Sequence, residues 1–403
     1  MAPHTPRTFD DRHLNDWIET EVEQGRIGAC AVEVVSQGVT VHQKAHGARN
    51  PEGDPATIET QFWIASMTKP VVSLMVMHLV EAGWLSLDDS VSDLIPGFGD
   101  PGVLVEDGAT VPVDRPVTLH DLLTHMAGVT YGQFGDGPLH RVYEDVGVYD
   151  FSVTNKVMSE RLSTVPLMQQ PGTCFEYGMS TDLLGRVIEV ATGDPLDSIL
   201  RSVIFDPIGM HETGFSPIAS RIADIPDCEV KRKVPPDLAK KPVWCSGGAG
   251  LFSTLPDYVR FTRLLRGKGT FDGVQVVSAE TFDTMLQQHL PPDVTFGDYT
   301  SALGITAPWP LNGLGFGLGF AVRLKEVEDM PGGIGEYFWP GVSGCNFWID
   351  PKADLITVFL THAPDYRTEH RIGLKRAVYA GFKPYRSEMP QYAEINNKME
   401  KRA

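Results

Sequence analysis

The chain has 403 residues, of which 42% are hydrophobic and 21% charged, and its formal charge is −18. Such a composition supports a large folded core and excludes a disordered protein. The negative charge disfavours nucleic acid and anionic membrane surfaces as partners, since both are polyanions.

Cys30, Cys174, Cys228, Cys245 and Cys345 form no C-x-x-C pair. That spacing predicts reduced thiols rather than a zinc site or a disulfide framework. The amino terminus has no apolar run of signal-peptide length and no later stretch approaches a membrane span, so the expected location is the cytoplasm.

Along the chain, Leu14, Trp17, Ile18 and Val22 recur at helical spacing and predict a helix over 9–24. Two β-branched runs, 27–35 and 39–45, flank Ser36, Gln37 and Gly38 and predict a hairpin. A long apolar helix follows Ser66 and stops at Gly83. From about 85 to 240 helical patterns dominate, among them 118–125 and 180–192, the latter closed by Gly193. Loops rich in Gly, Asp and Pro separate them at 96–116 and 132–138. The G-x-G-x-x-G at 97–102 contains Pro101, with no strand before it and no helix after it, and reads as a chance match. After 245 strands return at 315–322, 345–349 and 355–360, and a helix around 367–381 covers them. Strands at both ends and helices between them predict an α/β (α+β) fold with one antiparallel sheet. The sheet domain is expected from 8–84 and 240–390, with a mainly helical domain over 85–239 and the active site at their interface.

The G-x-S-x-G, H-E-x-x-H and P-loop motifs are all absent, whereas Ser66-Met67-Thr68-Lys69 is the one S-x-x-K in the chain. Pro70 is tolerated only in a first helical turn, which places the helix start near Ser66. Spacing of i and i+3 then puts the hydroxyl and the amine on one face. A serine hydroxyl is a weak nucleophile until a neighbour takes its proton, and a lysine held away from water gives its own proton up more readily. The competing reading of the tetrapeptide is an N-cap serine followed by an exposed lysine.

These residues resemble the first motif of the serine β-lactamase and penicillin-binding superfamily. The surroundings are similar to its class C β-lactamase and family VIII carboxylesterase branch in the blocks 68–72, 85–91, 117–125 with Gly128, and 248–254. The series covers most of residues 25–365. The resemblance implies a β-lactamase-like fold and a second motif at Tyr177, within Pro171 to Gly185, where Met179 replaces the asparagine usual in β-lactamases. Tyr177 would then act as general base or share a proton with Lys69, a phenol needing nearby cations to ionise near neutrality. The third motif falls at Trp339-Pro340-Gly341-Val342. Trp339 stands where β-lactamases carry a cationic lysine, which favours neutral acyl esters over a penicillin carboxylate. Pro340 has no N–H to donate, so the oxyanion hole is expected from the backbone N–H groups of Ser66 and Val342. Trp339 and Gly341 are expected to contact substrate, and Tyr131, Phe134 and Trp309 to line the acyl pocket. His120 and His125 suit packing or capping roles, and Asp350 and Asp354 suit a turn.

The expected activity is hydrolysis of small carboxylic esters with short or medium acyl chains through an acyl-serine, with no metal or cofactor required. The alternatives are acyl transfer to an alcohol on the same site, β-lactam or D-amino-peptide cleavage, and a non-enzymatic ligand sensor on this scaffold. Oligomeric state does not follow from the residues.

Overall fold

Helix α1, Arg12–Glu23, buries Leu14, Trp17, Ile18 and Glu21 along one stripe. The computed structural model describes residues 8–105, 108–132, 137–228, 234, 238, 240, 242–328 and 330–382. After α1 the chain forms strands β1, Ala29–Ser36, and β2, Val39–Gly47. Gln37 and Gly38 between them have φ of 52° and 77°, the pair of positive values that a two-residue hairpin turn with the twist of the strands requires.

Five strands from the other end complete the sheet: β3, Leu314–Phe316; β4, Ala321–Arg323; β5, Tyr337–Phe338; β6, Asn346–Asp350; and β7, Leu355–Thr361. Their order is β3-β4-β5-β6-β7-β1-β2, and every pairing is antiparallel. Thus the first strand of the chain docks on the last, with Val32 opposite Phe359. Every residue of β1 is buried, as a central strand covered on both faces demands.

The run 315–322, read from sequence as one strand, is a hairpin. Phe316 pairs with Ala321, and Gly319 turns the chain at φ 93°. Only glycine is at ease there, and a Cβ at Gly319 would lie 2.3 Å from the Ser73 hydroxyl.

Helices cover both faces. Successive strand residues point to opposite sides. On one side Trp17 of α1 meets Phe359, and on the other Tyr258 of the helix Leu255–Arg266 meets Phe347, the cross-strand partner of Val358. The C-terminal helix Arg367–Ala380 packs against α1. Between α1 and that helix Glu21 takes hydrogen bonds from Arg26 at 2.6 Å and from His370 at 3.0 Å. Burial pushes the Glu21 carboxyl up, but these two partners outweigh it and hold it at about 2, below the usual 4.5. A depressed carboxylate stabilises the fold above its unfolded pKa and loses that contribution as pH falls through its folded pKa. Thermal unfolding measured from pH ~5 down to ~2 is therefore expected to fall less steeply in Glu21→Gln than in the wild type.

The helix predicted after Ser66, named α2, spans Thr68–Glu81, and Gly83 follows it at φ 73°. Every residue from Thr68 to Met77 is buried, so α2 is a core helix without a solvent face. It packs on the helix Ser180–Thr192, which ends at Gly193 as predicted. The first three residues of the G-x-G-x-x-G match lie in a short 3-10 turn, Pro96–Gly99. Among the described residues no helix is long and apolar enough to cross a membrane.

Candidate active site

The approach to Ser66 is a two-residue strand, Phe62–Trp63, paired with Phe252–Ser253. The Trp63 N–H donates to His362 Nε2 at 2.9 Å. Burial lowers the His362 pKa to about 4, so the ring is neutral and free to accept. Ala65 then takes φ of 47°, a value a residue with a Cβ adopts only when its surroundings enforce it. Here they do. Thr68 Oγ1 donates to Ala65 O at 2.7 Å and accepts from the Leu251 N–H at 3.1 Å, while Tyr258 Oη donates to Met67 O at 2.9 Å.

Ser66 therefore sits in a 3-10 turn, Ala65–Met67, immediately before α2, and its hydroxyl caps nothing. Lys69 is 1% exposed. Neither half of the N-cap-and-exposed-lysine reading describes this turn.

Lys69 Nζ donates to Tyr131 Oη at 2.8 Å and to Gly248 O at 2.8 Å, and reaches Ser66 Oγ at 3.4 Å. Behind Gly248 stands Asp182, buried, taking hydrogen bonds from Ser246 Oγ at 2.5 Å and the Gly248 N–H at 3.1 Å. Burial raises the Asp182 pKa, and the charge of Lys69 opposes that rise. Asp182 thus fixes the loop that presents a carbonyl to the amine.

Two tyrosines enclose the amine, and they differ. Tyr131 bonds it directly and is held a phenol: burial pushes its pKa well above 10, and Tyr177 beside it adds to the effect. Tyr177 instead offers its ring, with Nζ 4.7 Å from the centroid, while its Oη accepts from Trp339 Nε1 at 3.2 Å. Its ring also stacks with Tyr299, the centroids 6.1 Å apart and the planes 9° from parallel. Gly178 lets the chain after Tyr177 pass close to residues 129–130, where a Cβ would lie 2.1 Å from Val129 O. His125 packs on Tyr177 and accepts from the Gly178 N–H at 3.4 Å. Burial, and then Lys69, hold its pKa well below 6.5, so it is neutral.

The third segment closes the site. Gly341 passes so near the Ser66 turn that a Cβ would lie 2.5 Å from Ile64 O. Its N–H donates to Cys345 O at 2.8 Å, and its carbonyl accepts from Arg371 Nη2 at 3.0 Å. The next N–H, that of Val342, donates to no backbone acceptor among the described residues.

A cavity open to solvent ends on these groups. Ser66, Tyr131, Tyr177, Trp339 and Val342 all reach its wall. Gly341, expected to contact substrate, is not among the residues of that wall. Trp309, expected in the pocket, is not on it and stands edge-on to Phe296 at 6.3 Å. Phe134 lies outside the described residues. His120 meets His289 at 3.1 Å, away from the cavity. Asp350 accepts from the Gly333 and Ala353 N–H groups, a turn role, as does Asp354 at φ 49°. Sequence reasoning passed over Trp63, Tyr149, Tyr299, Leu303 and Arg371 on the wall, and Asp182 behind it. Asp182 carried a signal: it is a lone acid in the apolar stretch leading to Leu183 and Leu184.

The chain belongs to the Beta-lactamase family, whose model matches residues 14–380. A Mycobacterium tuberculosis protein, Rv1367c, is 36% identical over 331 residues, covering 78% of this chain and 80% of that one. Lovastatin esterase of Penicillium rubens is 29% identical over 382 residues, covering 86% and 91%. Among solved structures, EstCE1, described as a hydrolase with promiscuous acyltransferase activity, superimposes with a TM-score of 0.73. It is 26% identical, over 92% of this chain and 99% of that one. The fold is the β-lactamase-like one, a helix-flanked antiparallel sheet.

Proposed function

We propose that the protein is a serine esterase that hydrolyses small carboxylic esters with short or medium acyl chains. One observation carries the reading: a hydroxyl with no capping duty lies 3.4 Å from a buried amine at the wall of an open, aromatic cavity. The esterase name of a relative aligned over most of the chain supports it.

In this scheme Ser66 Oγ bonds to the ester carbonyl carbon as its proton passes to Tyr177 or Lys69. The oxyanion is held by the Ser66 and Val342 N–H groups. The carbon–alkoxide bond then breaks and the same proton leaves with the alcohol. Water adds to the acyl-serine by the same route and releases the acid. Tyr131, kept protonated by burial, positions the amine and does not serve as a base. Tyr149, Tyr299 and Leu303 line the same cavity and give an acyl chain apolar contact. Trp339 and Val342 give the acyl group apolar contact, on a wall that also carries Arg367 and Arg371. The division into a sheet domain and an inserted helical domain, with the site between them, belongs to the same reading, as does a cytoplasmic location.

The test is direct. Purified protein is expected to cleave p-nitrophenyl butyrate, to act poorly on the laurate, and to carry a fluorophosphonate label on Ser66 alone. A label on any other serine would remove the nucleophile assignment.

Acyl transfer to an alcohol is the second reading, favoured by the solvent-open mouth of the cavity and by the promiscuous acyltransferase activity ascribed to EstCE1. It predicts that added alcohol diverts product from free acid to new ester without slowing release of p-nitrophenol.

A further inference from the structure

Arg371, on the C-terminal helix, is 9% exposed and reaches the cavity wall. Its charged and titratable neighbours among the described residues are Arg367, Tyr177 and Cys345, with no carboxylate among them. Burial, and then the charge of Arg367 on the same wall, lower its pKa to about 9, so at neutral pH it is a cation. Nε has no hydrogen-bond partner among the described residues, and Nη2 donates to Gly341 O. A buried guanidinium without a counter-ion is costly to a fold, so its position asks for a reason.

The carbonyl it holds belongs to the same peptide unit as the Val342 N–H. A cation bound to an amide oxygen draws electron density from the nitrogen and strengthens the N–H as a donor. We propose that Arg371 is a positioning residue of the oxyanion hole: its guanidinium polarises the Gly341–Val342 peptide, so that the Val342 N–H binds the tetrahedral oxyanion more strongly. This rests on the esterase reading with Val342 as an oxyanion donor. The charge acts one amide and two hydrogen bonds from the reacting oxygen, and no bond to Arg371 is made or broken. Gly341 is integral to the device, because its close pass at Ile64 O sets the peptide beside Ser66.

The test compares wild type, Arg371→Gln and Arg371→Lys on p-nitrophenyl butyrate, whose lack of charge removes direct anion binding as a cause. Gln keeps a neutral donor for Gly341 O, whereas Lys keeps the charge. Expected is a loss of about tenfold in kcat for Gln with KM little changed, below the ~10²-fold to 10³-fold of losing an oxyanion donor outright, and partial recovery with Lys. Arg371 also lies near Tyr177, so the rate alone does not separate oxyanion from base. A furylacryloyl group on Ser66 does, since its absorption shifts to the red as its carbonyl is polarised. The shift is expected to shrink in the Gln acyl-enzyme and to return in Lys. Equal shifts and equal kcat in wild type and Gln overturn the proposal while leaving the esterase intact. If the wild type fails to acylate at Ser66, the underlying reading falls instead. Matching thermal unfolding of the three proteins excludes misfolding, and should Gln unfold, the Lys acyl-enzyme still reports: a shift lost with the charge retained also refutes it.

Discussion

Ser66→Ala is expected to lower kcat/KM for p-nitrophenyl butyrate by on the order of 10⁴-fold or more, with thermal unfolding within a degree or so of wild type. The size follows from the absence of a substitute. The nearest hydroxyl on the same turn, Thr68 Oγ1, is committed to Ala65 O and the Leu251 N–H and points into the core. Water could take the place of the missing oxygen, but it would have to attack the ester without the covalent intermediate. The two backbone donors and the cavity then supply only what positioning and charge stabilisation give. Stability should hold because the Ser66 side chain caps no helix and the turn is fixed by its neighbours. Retention of most of the activity by a well-folded Ser66→Ala protein would sink the mechanism. A loss of activity accompanied by a large drop in melting temperature would count against the account of the turn.

The sequence disclosed the frame of this site better than its wiring. Apolar, strand-like runs at both ends implied one sheet shared by the two termini, and the pairing of Cys30 with Thr361 and its neighbours is that arrangement. Pro70 located the start of α2 to within a turn because proline's ring excludes other places. What stayed hidden depended on contacts between distant segments. Lys69 and Tyr131 are separated by 62 positions, and nothing local in either predicts that the lysine bonds this phenol rather than Tyr177. Arg371 looked like one more basic residue on a helix covering the sheet, since burial without a counter-ion leaves no mark on the sequence. The positive φ of Ala65 was equally illegible, because alanine carries no preference for it. The hairpin at β3 and β4 was missed for another reason: apolar residues fill the positions on either side of Gly317 and Gly319, so the run keeps its strand-like character across the turn.

Lys69→Met should produce a defect nearly as large, on the order of 10³-fold in kcat, together with a change in stability that depends on pH in a defined direction. Methionine fills the volume but leaves Tyr131 Oη and Gly248 O without this donor, and Ser66 Oγ without the amine beside it. Tyr131→Phe removes one of those bonds and keeps the amine, so a milder loss of about tenfold is expected, with Tyr177→Phe falling between the two. The pH dependence comes from Asp182. Burial holds its pKa above 3.8, and the ammonium of Lys69 restrains that rise. Without the ammonium the rise is larger. An acid whose folded pKa lies above its unfolded value destabilises the fold at pH above the folded pKa, and the penalty is relieved as pH falls through it toward the unfolded value. Lys69→Met should thus unfold well below wild type at neutral pH, with the gap narrowing at mildly acid pH, and adding Asp182→Asn should remove most of that narrowing. A gap that widens on acidification would mean that Lys69 and Asp182 do not share a field, and the account of how the amine is held would have to be abandoned.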